Sequence, residues 1–442
     1  MSRRPAVPAL LAVVTTLLSV GGPAAAQAPL ASPAWGRVAF FTTASGDAPR
    51  EGDTGQSFAE YVTTVTYHSA VSADTPLEFG FDGRFAGYSV ERRDPRTSLF
   101  EAWAGARLMD GALRVRGGNL WLTELGGLGS IGGGVAEYGR AAGKGRLRIA
   151  GFGGLEPKTY EAGYVEDVTR AGGYLAYDGP GTLRSALGYV LIRHAGLTER
   201  SVLSTTNYLP AGRRVFVYQA AEVDLQGPAG QGSGGLTYFF VNGRAAATSR
   251  VDVQGTYHRG HSIDARTITL DQLAGRPVPT QALEGYLFES WSGRVTVTAA
   301  RGVRLYAGYG QDRNDRDSEP ASRITVGGSA SNLLGSGIDT TVSLYRIDRG
   351  APGSYDSWYV SIGRSIGSRT YLSGDYNSSL SVVRTASTGD FIVESRPRTE
   401  RFSVSAIVNA TRLLSFVATA ERTADDAYTE NRLLAGISCR LP

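Results

Sequence analysis

Across residues 293–311 apolar and polar positions alternate, with one break at Gly302. Val295, Val297 and Ala299 fall on one side, and Arg294, Thr296 and Thr298 on the other. Beyond the glycine, Val303, Leu305, Ala307 and Tyr309 alternate with Arg304, Tyr306, Gly308 and Gly310. Successive side chains of a strand face opposite sides, so the pattern predicts a hairpin with one apolar and one polar face. A short joint containing glycine suits a tight antiparallel connection.

The same hairpin recurs along the chain. Ala59, Tyr61, Thr63, Val65 and Tyr67 oppose Glu60 and His68, and Leu77, Phe79, Phe81 and Phe85 oppose Glu78, Asp82 and Arg84. Later, Ile324 and Val326 oppose Arg323; Ile338, Val342 and Leu344 oppose Asp339; Leu372, Tyr376 and Leu380 oppose Asp375. The final run sets Leu433, Ala435, Ile437, Cys439 and Leu441 against Arg432, Ser438 and Arg440. One face carries both charge signs and the other is almost uncharged. A soluble sandwich also alternates, but repetition over residues 34–442 without a second domain predicts a closed transmembrane barrel. In lipid every backbone group must be paired within the protein, so a sheet can span only if it has no edge.

Short joints are expected near 109–111, 178–181, 208–212, 300–302, 331–336 and 366–368, and longer ones near 44–56, 89–96, 122–143, 260–291, 313–320 and 384–397. Alternating short and long connections belong to outer-membrane barrels. Counting 159–167 as a strand, which keeps both termini on one side, the expectation is an all-β, single antiparallel barrel of about 22 strands, within 18–22.

The start of the chain adds a compartment. Ser2-Arg3-Arg4, an apolar run from Ala6 to Val20 and Ala24-Ala25-Ala26 form a signal peptide with a cleavage site before Gln27. The expected division is therefore a signal peptide over 1–26, a short segment over 27–33 and the barrel over 34–442. Removing Arg3 and Arg4 lowers the formal charge from +4 to +2, a balance that argues against nucleic acid as a partner. The single cysteine, Cys439, rules out an internal disulfide framework. The chain has 58 glycines and 22 tyrosines but only two lysines, and after the leader no apolar run reaches the length of a spanning helix.

On these residues the chain resembles Gram-negative outer-membrane β-barrels of the broad porin kind over essentially all of 34–442. The likeness is architectural and rests on no site motif. It implies a bacterial outer-membrane location, contact with outer-membrane lipid, help from the assembly machinery during biogenesis, and passage of small polar solutes. One feature departs: such barrels commonly end in an aromatic residue read by that machinery, whereas this chain ends Arg-Leu-Pro442. The first strand follows the cleavage site so closely that no plug domain of the energised 22-strand receptors is expected.

The leading site candidate is a basic wall. Arg107, Arg114, Arg116, Arg146 and Arg148 fall on the polar face of successive strands, and Asp339 and Asp375 lie about half a barrel away. General porins resemble this, with arginines facing acids across a constriction. Two readings stand side by side. Either these residues line the pore and give a mild anion preference, helped by an inward fold of the Gly-rich stretch 122–143, or the arginines pair with Glu78, Asp82 and Glu101 and brace the wall.

Other constellations are weaker. Asp312–Glu319 carries oxygen ligands, but Arg313 and Arg316 interrupt them, so it reads as a solvated loop. His258 and His261 lack the further ligands zinc requires, and no metal or cofactor is expected. No spacing singles out a nucleophile near His194 or His258, so no catalytic residue is assigned. Trp35, Trp103, Trp121, Trp291 and Trp358 suit either a sugar-stacking path or an interfacial girdle. The functional expectation is a non-enzymatic, porin-like channel for passive diffusion of small polar solutes. The alternatives are a structural or assembly-related barrel plugged by loops 122–143 and 260–291, in which Asp264–Ala274 forms a short helix, and a barrel-embedded hydrolase.

Overall fold

The computed structural model describes residues 34–49, 57–70, 76–90, 93–227, 235–279, 282–283, 285–315, 317, 319–386 and 392–441. The expected signal peptide, residues 27–33 and Pro442 lie outside them.

The alternating runs form strands β1 (Trp35–Pro49), β2 (Ser57–His68), β3 (Leu77–Tyr88), β4 (Arg96–Leu108), β5 (Leu113–Trp121), β6 (Ser130–Ala142), β7 (Gly145–Pro157) and β8 (Tyr164–Asp178). Then come β9 (Arg184–His194), β10 (Leu197–Ala211), β11 (Val215–Gln226), β12 (Gly235–Ala246), β13 (Val251–Ser262), β14 (Tyr286–Ala300), β15 (Val303–Asn314) and β16 (Ala321–Ala330). The last are β17 (Ile338–Asp348), β18 (Gly353–Ile366), β19 (Thr370–Ala386), β20 (Ile392–Ser395), β21 (Arg398–Asn409), β22 (Leu414–Ala424) and β23 (Tyr428–Leu441). Successive strands pair antiparallel, and β20 and β21 share one stave because both pair with β19. The sheet closes where β23 returns to β1, from Gly36 opposite Leu441 to Pro49 opposite Tyr428. The result is the closed barrel of 22 staves that the alternation predicts. Trp35 and Leu441 mark its terminal end; the opposite end is called the far end.

Closure alone does not place a barrel in lipid; its outer face does. Phe79, Phe81 and Phe85, Val295 and Val297, Leu305 and Tyr309, Val342 and Leu344, and Phe402 and Val404 are large, exposed and of one parity within each strand. A soluble sandwich buries such rows between its sheets. Here they form a continuous outward band far beyond the apolar patches of soluble monomers. This assignment predicts that Val342→Arg, near the middle of β17, costs about 2–4 kcal/mol. The adjacent inward Ser343→Arg costs much less. Denaturant midpoints of the two variants in lipid vesicles check it, and equal costs would contradict the assignment of faces.

Two corrections concern connections. The stretch 122–143 is not one loop: only Leu122–Gly129 leaves the wall, and Ser130–Ala142 is β6. Glycines 132–134 suggest a loop because glycine contributes little to strand stability. In the barrel Gly133 and Gly134 lie opposite Gly154 and Gly153 of β7, and a Cβ on Gly133 would collide with the Gly153 carbonyl. The strand expected over 159–167 holds only in its second part: 159–163 belongs to the far-end connection, and 164–167 opens β8, which begins at Tyr164. A further short joint, Ala195-Gly196, links β9 and β10 at the far end with φ of 47° and 85°, the left-handed pair a two-residue hairpin needs.

The interior is uneven. Leu120, Leu122, Leu125, Leu128, Ile131, Phe152, Val190 and Val202 belong to one buried apolar cluster on the inner side of β5–β10. It exists because the 3-10 turn Thr123–Leu128 folds inward and packs over β9 and β10. Each buried leucine contributes roughly 2 kcal/mol to that docking. Gly188 makes it possible, since a Cβ there would collide with Leu125.

Candidate functional site

The register places all five predicted arginines on the inner face of neighbouring strands. Arg107 lies opposite Arg114, Arg116 opposite Gly105, and Arg146 and Arg148 follow on β7. Carboxylates meet most of this charge. Glu78, only 3 % exposed, accepts from Arg107 Nε at 3.1 Å and also from Arg114. Arg148 contacts Glu137 at 2.6 Å, Asp178 at 2.6 Å and Glu124 of the inward turn at 2.8 Å. The Tyr174 hydroxyl donates to Glu137 at 2.6 Å.

The bracing partners are thus only partly those expected. Glu78 serves, but Glu101 accepts from Trp103 at 3.2 Å and Asp82 from Thr66. Among the described residues, two of the five arginines make no ion pair with a carboxylate. Arg146 donates to the Gly111 carbonyl at 2.8 Å. Arg116 lies 5.4 Å from the Trp103 ring centroid, and its Nε has no hydrogen-bond partner. Asp339 and Asp375 are not brought to this wall. Asp339 accepts the Asn332 N–H at 2.9 Å in a terminal-end turn, and Asp375 accepts from Tyr359 at 2.6 Å on the inner face of β19.

A second inward element comes from the connection after β13. Helix α1 (Ala265–Leu273) matches the short helix expected within Asp264–Ala274. The Thr267 N–H and hydroxyl hold the Asp264 carboxyl below the usual aspartate range while it caps the helix. Ile268 and Thr269 are buried, and Arg266 reaches across to the wall. It donates to Glu199 of β10 at 2.7 Å and to Glu156 of β7 at 3.0 Å.

Glu156 also accepts from Arg170 at 3.1 Å, and Arg170 donates to the Ser130 carbonyl at 3.1 Å and the Leu128 carbonyl at 3.3 Å. One chain of charges therefore fastens helix and turn to the same side of the barrel. Sequence reading located both inward segments but missed this latch, whose partners are up to 110 positions apart.

The other candidates resolve simply. The buried His194 places Nδ1 3.7 Å from Glu199, at the edge of the latch. His258 and His261 stand on opposite faces of β13, since three steps along a strand reverse the face. Among the described residues no group of three or more His, Cys, Asp or Glu side chains is placed to hold a metal ion. Asp312, the one acid of β15, pairs with Arg323 at 2.8 Å. Trp121, Trp291 and Trp358 face outward. Trp35 and Trp103 face inward around His68, with ring centroids 4.6 and 6.3 Å from it.

No family model and no curated protein matches the chain. Among solved structures, Pseudomonas aeruginosa OpdQ is similar at 12% identity and a TM-score of 0.45, covering 92% of this chain and 98% of that one. P. aeruginosa OccK9 (OpdG) is similar at 13% identity and 0.47, covering 92% and 98%. The translocation pore of the P pilus usher PapC is similar at 9% identity and 0.49, covering 92% and 100%. At these identities the likeness says nothing of solute or partner.

Proposed function

We propose that the protein is an outer-membrane channel for passive diffusion of small polar solutes, exported by its N-terminal signal peptide and inserted by the outer-membrane assembly machinery. The observation that carries this reading is the combination of 22 staves with an inner wall that, over β15–β17, presents Arg304, Asp312, Arg323, Thr325, Asp339, Thr341 and Ser343. Barrels of 16 or more strands are too wide for their own side chains to fill and leave an aqueous path. The inward turn and helix α1 both dock on the β5–β10 side, so the path runs along the remaining wall.

The basic wall biases that path only mildly. Glu78, Glu124, Glu137 and Asp178 offset much of the charge of the five arginines. The excess lies at Arg116 and Arg146. The expected result is a weak anion preference that falls when Arg114 and Arg116 are replaced by serine, read as a shift of reversal potential in a salt gradient. An unchanged reversal potential would leave the wall a purely structural brace.

The inward turn and helix favour one second reading, a barrel closed by its own loops. A barrel that inserts and passes no current distinguishes it.

A further inference from the structure

One inner-face feature lies apart from the basic wall. Phe216 and Tyr218 of β11, Tyr208 of β10, Phe240 of β12, His258 of β13 and Phe288 of β14 all face inward. Their rings form an unbroken series. Ring centroids are 6.4 Å apart for Phe216–Tyr208, 4.8 Å for Tyr208–Tyr218, 5.8 Å for Tyr218–Phe240, 5.9 Å for Phe240–His258 and 4.7 Å for His258–Phe288. Phe216 stands next to the terminal end of its strand, while Phe288 lies near the far end of β14. The track thus climbs the wall beside the apolar cluster. Gly260 gives the last ring its place, because a Cβ there would run into Phe288.

Such rings are costly on a wet inner wall unless something covers them. Tyr208 is 37 % exposed and the other five rings are partly exposed, whereas Leu122 and Leu125 are buried. Groups that hydrogen-bond along their edges alternate with the ring faces. Tyr218 stands opposite Asn242, whose amide donates to Thr256 at 2.7 Å, and Phe216 stands opposite Arg244, which Asp252 neutralises at 3.0 Å. A solute fitted to this surface has apolar ring faces, hydrogen-bonding edges and no net charge.

We propose that the track is a sliding path for the pyranose rings of neutral oligosaccharides, a reading that rests on the channel function above and names its substrate class. The C–H face of a pyranose lies on an aromatic face, whose quadrupole is negative, while its hydroxyls meet the polar edges that set orientation. A row of similar, individually weak sites allows both entry and exit.

The test is current block of the refolded chain from residue 27 in a planar bilayer with maltohexaose added. Reversible, concentration-dependent reduction of the salt current is expected. Joint Tyr218→Leu and Phe240→Leu replacement should raise the half-blocking concentration about tenfold, the loss of two ring contacts. Joint Tyr345→Leu and Tyr355→Leu replacement, an inward aromatic pair away from the track, should leave it unchanged. Heat-resistant migration on gels verifies each barrel, and Phe240→Leu alone serves if the pair does not fold.

A conducting channel that maltohexaose does not block overturns the sugar path and leaves the channel. So does block that survives loss of the two rings, or block by indole alone, which would assign the track to flat aromatic solutes. A barrel that passes no salt overturns the channel and the path together.

Discussion

Replacing Arg266 with glutamine is expected to release helix α1 from the wall and raise the single-channel conductance. Arg266 is the helix's charged tie, with Glu199 at 2.7 Å and Glu156 at 3.0 Å. Hydrogen bonds between charged groups contribute about 1.5–3 kcal/mol each. Arg266 is partly exposed, so losing its contacts should cost the docked state roughly 3 kcal/mol. A change of that size shifts the ratio of docked to free helix by about two orders of magnitude. Two inner-wall glutamates would also lose a cation. Faster hydrogen exchange over residues 265–273 should accompany the rise in conductance. If neither changes, the burial of Ile268 and Thr269 holds the helix and the latch does not set the aperture.

The second large effect concerns the seam. Ala435 of β23 lies opposite Thr42 of β1 and Ala418 of β22, so it stands where the sheet closes. Ala435→Pro removes a ladder donor and forces its ring into a strand paired on both sides, at a cost of roughly 3 kcal/mol or more. The orphaned carbonyl faces hydrocarbon, which adds several kcal/mol. The variant should therefore fail to form a heat-resistant barrel, read as loss of the fast-migrating band on unheated gels. Normal assembly would mean that β1 and β23 do not close the sheet.

The fold was legible because lipid outside and polar lumen inside impose a period of two on every stave. Val342 and Leu344 against Asp339 and Ser343 carry that signal without any knowledge of partners. Glycine erased it in β6, where small residues satisfy close backbone contacts rather than a hydrophobic pattern. The same stretch hid Glu137, so the arginines were visible from parity while one of their main counter-charges was not. Glu124 escaped notice because its role arises only when its turn folds inward.

The latch depends on the register of β7 against β10 and on where a loop helix lands. Neither is encoded by local periodicity. The aromatic track was accessible in principle, since parity places Tyr218 with Glu222 on the inner face. Tryptophan draws the eye first, however, and Trp121, Trp291 and Trp358 belong to the outer face.

The most direct test of the channel is the conductance of the unmodified chain from residue 27, refolded and inserted into a planar bilayer. Stable, ohmic steps with a weak anion preference are the predicted result. A heat-resistant barrel that inserts and never conducts would contradict the account and make the inward turn and helix a plug.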